Sequence, residues 1–178
     1  MSLTQIILLL CLSLTNFSVS AVTRIAILDF ELKDLTLAPG IPAELSRTAS
    51  IRPLLEHELG SAGYQLVNIP SAAQQTAQSG GVGYLFDHPD VAGQLGKQFG
   101  ADYVLVGRLH KPSFLFAYLL GNLVRVNNGK LIGKFITESK GSDQQLTQKA
   151  VETMTVKIDQ LLDRRYTPPV PVQHHPSD

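Results

Sequence analysis

The chain has a single cysteine, Cys11, and no excess of either charge: fifteen Lys and Arg balance fifteen Asp and Glu. Cys11 lies in an apolar stretch at the extreme amino terminus, so everything after Ala21 is free of thiols. A disulfide, a thiolate nucleophile and a cysteine metal site are therefore excluded there. Neutrality argues against nucleic acid or anionic lipid as a partner, because neither would feel a strong pull from this chain. Long hydrophobic runs are also missing. Residues 6–14 are almost wholly apolar but fall short of the roughly 20 residues that span a bilayer.

That short run is followed by Asn16-Phe-Ser-Val-Ser-Ala21, in which Val19 and Ala21 form the small-residue pattern of a leader cleavage site. Residues 1–21 are expected to be a signal peptide cleaved after Ala21. The departure is Met1-Ser-Leu-Thr-Gln5, which carries no Lys or Arg, so a retained anchor with membrane association is the alternative. The expected location is the periplasm, with no stable membrane insertion after cleavage. Residues 22–165 are long enough for one domain with a single core. Residues 166–178, rich in proline, lack a core-forming pattern and are expected to be a disordered tail.

Two short aliphatic runs, Arg24-Ile-Ala-Ile-Leu-Asp-Phe-Glu31 and Ala101-Asp-Tyr-Val-Leu-Val-Gly-Arg-Leu109, read as buried strands. After the first, residues 33–47 hold Pro39-Gly40 and Pro42 and read as a connection. Ile51, Leu54, Leu55 and Leu59 then fall at helical spacing over residues 50–62. Residues 64–69 alternate as a strand, 71–84 are small and polar with partial helical character, and 87–99 form a second helix opened by Pro89.

Residues 114–126 and 130–137 are β-like, joined by Asn127-Asn-Gly129, which suits a tight reversal, and Lys111-Pro-Ser113 makes the preceding turn. A final amphipathic helix carries Leu146, Ala150, Met154, Ile158 and Leu161, with Ser142 as its cap and Arg164-Arg165 at its end. The predicted fold is α/β: a mixed sheet of about five strands with about three helices, in the order β-α-β-α-β-β-β-α.

Together, Ile25-Ala-Ile-Leu-Asp-Phe-Glu31, Tyr64-Gln-Leu-Val67 and Leu95-Gly-Lys-Gln-Phe-Gly-Ala-Asp-Tyr-Val-Leu-Val-Gly-Arg108 resemble the envelope domain shared by the amino-terminal part of TolB, LpoB and CsgG. Lys111-Pro-Ser-Phe-Leu115, Leu123-Val-Arg-Val126 and Glu138-Ser-Lys-Gly-Ser142 look like a proteobacterial family of small secreted proteins of unknown function. The resemblance implies a binding module that docks onto other envelope proteins by a sheet edge or a loop and does not catalyse. The chain departs from the second family near Ser79-Gly-Gly-Val-Gly83, where a cysteine pair is expected and none stands.

The chemistry-bearing residues are few. Asp29, Glu31 and Asp34 cluster near the end of the first strand, where an α/β sheet offers its ligand crevice; they could bind a cation or basic partner, or simply end a strand and cap a turn. Gly81 and Tyr84 belong to a glycine-bearing loop that lacks the Gly-Lys-Ser/Thr close of a phosphate loop. Arg108, Lys111 and Arg125 form a possible patch for an acidic partner or a surface salt-bridge lattice. His57 has no second His or Cys at ligand spacing, and His174-His175 is a poorly organised pair. No serine stands in a Gly-x-Ser-x-Gly elbow.

Phe114, Leu115, Phe116, Tyr118, Leu119 and Leu120 break strict alternation, so both faces of that strand are expected to be covered, internally or by another molecule. The expected function is thus a non-catalytic, cofactor-free adaptor or regulator that binds another envelope protein, with a second copy of the chain as a further partner class. A small-ligand or metal-binding accessory protein using Asp29, Glu31 and Asp34 is the alternative.

Overall fold

The computed structural model describes residues 22–139 and 144–162. Residues 1–21, read above as a signal peptide, and residues 166–178, read as a tail, lie outside the described residues, as do Ser142, Arg164-Arg165 and the histidine pair. Within them the order is β1 (Arg24–Ile27), β2 (Glu31–Asp34), α1 (Pro42–Ser61), β3 (Gln65–Val67), α2 (Ser71–Ala77), α3 (Tyr84–Asp87), α4 (Pro89–Gln98), β4 (Tyr103–Lys111), β5 (Tyr118–Arg125), β6 (Lys130–Glu138) and α5 (Gln144–Leu161).

The sheet is mixed, as the succession of elements predicted. Its order is β3-β1-β4-β5-β6, with β2 continuing the line of β1 along β4. β3, β1, β2 and β4 are parallel, and β4-β5-β6 is an antiparallel meander. Gly129, at φ 63°, makes the tight β5–β6 turn that Asn127-Asn-Gly129 announces.

Alternation along the strands separates two cores. Ile25, Ile27, Leu105, Leu109, Leu119 and Leu123 face α1 and α5, meeting Ile51, Leu55, Leu59, Val151, Met154 and Ile158. Ala26, Val104, Val106 and Val124 face the opposite layer, where Leu85, Ala92 and Leu95 close α3 and α4 onto the sheet. Each fully buried leucine or isoleucine contributes about 1.5–3 kcal/mol to this three-layer arrangement.

Three departures from the sequence reading matter for the site. The first strand is interrupted: Ile27 faces Leu105 and Glu31 faces Arg108, so Leu28, Asp29 and Phe30 oppose only Val106 and Gly107. This is a parallel bulge. Its extra residue lets the Phe30 ring lie flat on Gly107, where a Cβ would stand only 2.0 Å from the ring.

The helix read over 50–62 begins at Pro42, which takes a first-turn position, while Pro53 sits inside it. Its first turns escaped hydrophobic periodicity because the residues they bury are Glu44, Arg47 and Thr48. Finally, β5 starts at Tyr118, opposite His110, so the turn expected at 111–113 is a longer link over residues 112–117. Leu119 is buried as expected, but Phe114, Leu115 and Phe116 lie before the strand and are exposed.

Candidate functional site

The three neighbouring carboxylates point in three directions, Asp29 and Glu31 parted by the bulge and Asp34 captured by the turn after β2. Asp29 turns toward α1 and α2, where its Oδ1 accepts a hydrogen bond from Arg52 Nη1 at 2.9 Å and its Oδ2 one from Ser71 Oγ at 2.6 Å. Arg52 is shared further with Glu56 and Asn68. Glu31 lies on the other face of the sheet, in an ion pair with Arg108. The Arg108 guanidinium also sits 4.2 Å over the Phe86 ring and 3.8 Å from Asp87, so it clamps α3 onto the sheet. Gly83 lets the backbone approach this pair: a Cβ there would stand 2.8 Å from Arg108 Nη2.

Tyr84 stacks on His88, with ring centroids 4.1 Å apart, and Gly81 is an exposed turn residue at φ 93°. His57 is exposed on α1. A crevice of about 270 Å³ does open beside Phe30, lined by Asp29, Leu32, Leu45, Thr48, Ala49 and Arg52. It holds one carboxylate, already paired with Arg52. Among the described residues no group of three His, Cys, Asp or Glu could hold a metal ion.

Asp34 closes the turn after β2, accepting from the Thr36 amide, the Thr36 hydroxyl and the Gly40 amide at 3.0, 2.7 and 3.1 Å. Desolvation works to raise its pKa, but these bonds and the nearby Lys111 charge outweigh it, and the carboxyl titrates below its ordinary value. The fold therefore favours the charged form. Its contribution to stability is complete above the unfolded-state pKa of about 3.9 and is lost as pH falls through the lower folded-state value. Asp34→Asn is expected to lower Tm at neutral pH and to make the fall in Tm from about pH 4 downward shallower, as calorimetry across acid pH will show.

Lys111 does not join Arg108 and Arg125 in a surface patch. It is buried, its Nζ 2.5 Å from Glu44 Oε1, while Arg125 stands at the far end of β5. Glu44, only 1% exposed, also pairs with Arg47, which donates to Ser139 Oγ at 2.6 Å and to Thr147 Oγ1 at 2.9 Å. This network ties the start of α1 to β4, to the end of β6 and to α5.

Directly over it the chain gathers apolar side chains in solvent. Asp34 and Lys111 are neighbours in the sheet, and Leu35 N donates to Lys111 O at 2.9 Å, so the loops after β2 and β4 leave the sheet side by side. The first carries Leu35, Leu37 and Ile41, continued by Leu45 on α1; the second carries Phe114, Leu115 and Phe116. Leu37 is 96% exposed, Leu115 73%, and Leu35 and Phe114 60% each. The Lys111 ammonium lies 5.9 Å from the Phe114 ring centroid, joining the rim to its ionic base. Reading residues 33–47 as a turn-rich connection passed over Leu35, Leu37 and Ile41; their signal is three large aliphatics in a loop with no periodicity to bury them.

A family model, DUF3280, described as "Protein of unknown function (DUF2380)", matches residues 23–158. The chain belongs to this family. No curated protein matches the DUF3280 chain in sequence. Among solved structures it is similar to the hypothetical protein CT253 from Chlamydia trachomatis, at 12% identity and TM-score 0.54 over 79% of this chain and 98% of that one. It also matches the PelC dodecamer from Paraburkholderia phytofirmans, at 15% identity and TM-score 0.47 over 82% and 90% of the two chains. For E. coli LpoB the values are 16% and 0.47, over 68% of this chain and 59% of that one. Such identities make this a likeness of fold. No helix among the described residues of the DUF3280 domain is long and apolar enough to cross a membrane.

Proposed function

We propose that this chain is a non-catalytic protein-binding domain that serves as an adaptor or regulator of an envelope assembly, working in the periplasm once residues 1–21 have directed export. The observation that carries this reading is the apolar rim of Leu35, Leu37, Ile41, Phe114, Leu115 and Phe116 at one end of the sheet. Large side chains exposed singly need no explanation; six on two adjoining loops do. The Glu44–Lys111 pair fixes the strand end from which the Phe114 loop departs, and Asp34 closes the loop that carries Leu35 and Leu37 through the Thr36 and Gly40 amides, which lowers the conformational entropy lost on docking. The neutral overall charge suits recognition by shape and apolar contact rather than by electrostatic steering.

The test is a photo-crosslinker placed at Leu115 in cells, with a second placed at exposed His57 as a control. One defined envelope protein captured at Leu115 but not at His57, and lost in a Leu37→Ser, Phe114→Ser, Leu115→Ser variant of unchanged Tm, is the expected result. Equal capture from both positions, or capture that survives the triple substitution, overturns the assignment of the rim.

A further inference from the structure

The sheet ends on one side with β6, nine residues long and paired only with β5 among the described residues. Ser139 N donates to Ala117 O at 2.8 Å, so Ala117 and Ser139 form a hydrogen-bonded pair across β5 and β6. Such pairs recur at every second residue of an antiparallel ladder. Thr137 and Phe135 therefore bond inward to β5, and Glu138, Ile136 and Lys134 turn their amides and carbonyls to the open edge. Lys157 from α5 fits this geometry, donating from Nζ to the Ile136 carbonyl at 2.8 Å.

The side chains of Lys134, Ile136 and Glu138 share one face and are all exposed, Ile136 by 60%. Below them a groove of about 400 Å³ is lined by Phe86, Pro89, Leu120 and Leu131. At Ile132 the ladder carries a bulge, which ends the regular edge and leaves residues 133–138 as its straight part.

We propose that this edge pairs with the same edge of a second copy, antiparallel, about a two-fold axis through Ile136. Lys134 then faces Glu138 of the second copy, Glu138 faces its Lys134, and the two Ile136 side chains meet; all three positions are hydrogen-bonded pairs with outward backbone groups. Charge selects this register. Centring the axis on Lys134 or Glu138 sets like charges against each other, and centring it on Phe135 or Thr137 sets a charge against isoleucine. The Ile136 amide of the second copy replaces Lys157 as donor to the Ile136 carbonyl, and the lysine, exposed on its flexible stem, returns to solvent. The inference is independent of the apolar rim, since no rim residue lies on β6.

Sedimentation equilibrium of the full chain as its cells produce it tests the pairing. The chain is expected to dimerise, and Lys134→Glu and Glu138→Lys are each expected to weaken the dimer about tenfold or more, because two attractive cross-strand pairs become repulsive. The double swap, Lys134→Glu with Glu138→Lys, is expected to restore the original dissociation constant. In a Cys11→Ser background, Ile136→Cys is expected to form a disulfide between copies. A chain that is monomeric at all accessible concentrations, single swaps without effect, or a double swap that fails to recover the dimer overturns the proposal.

Discussion

Replacing Glu44 by alanine is expected to destabilise the domain by about 3–5 kcal/mol, the range for removing one partner of a buried ion pair. Urea unfolding followed by circular dichroism measures it as a fall in midpoint at unchanged slope. The size follows from what is left behind. Lys111 and Arg47 are each 7% exposed, and without Glu44 the lysine ammonium loses its hydrogen-bonded counter-ion and keeps only the longer-range pull of Asp34. Arg47 retains Ser139 and Thr147, so the larger share of the cost falls on Lys111. Removing both sides of the bond, in Glu44→Leu with Lys111→Met, is expected to recover most of the loss, because apolar side chains of similar volume carry no desolvation penalty. Against total stabilities of about 5–15 kcal/mol for natural domains, the single substitution removes a large fraction of what holds the domain folded.

The second large effect is expected at Gly107. Its backbone lies within β4 and needs no unusual dihedral; the requirement is steric, since an added Cβ would meet the Phe30 ring at 2.0 to 2.3 Å. Gly107→Val is expected to cost about 1–3 kcal/mol or more, as for other overpacked cores. The partner variant identifies the cause. Phe30→Ala alone leaves a cavity, while Phe30→Ala combined with Gly107→Val is expected to be less destabilised than the sum of the two, a coupling that a double-mutant cycle in urea reads directly. Additive costs would show that the ring does not set the constraint at Gly107.

Much of the fold was legible because burial leaves a pattern. The runs at Ile25 and Val104 have no polar interruption, which is what a strand covered on both faces requires, and Leu55, Leu59, Met154 and Ile158 repeat at helical spacing. The bulge was not legible: Asp29-Phe-Glu31 reads as a strand continuing, and only the register against Val106 and Gly107 shows one residue too many. The opening turns of α1 were missed for the opposite reason, since Glu44, Arg47 and Thr48 are polar yet buried, and a single sequence does not reveal that a charge has found its partner 67 residues away.

The site residues divide in the same way. Glu31 and Arg108 pair, and the loop bearing Gly83 and Tyr84 comes to them; Asp29 and Asp34, two and three residues from Glu31, face elsewhere because the bulge rotates one and a turn captures the other. Residues 114–116 carried a readable signal of excess hydrophobicity, but their exposure depends on where β5 begins, and that is set by the pairing of His110 with Tyr118.

The parallel pairing of β1 with β4 also has a kinetic side. Arg24 and Asp102, whose ion pair anchors the start of that register, are 78 residues apart in the chain, whereas β4, β5 and β6 follow one another through short links. Local contacts close fast and distant ones slowly, because the entropy of a long loop must be given up before its contacts repay it. The meander is thus the part of the sheet that can assemble early, and the amino-terminal strand is expected to join it later. A strand slipped by a single residue would not set Phe30 on Gly107, so the packing that fills the core also favours the native register.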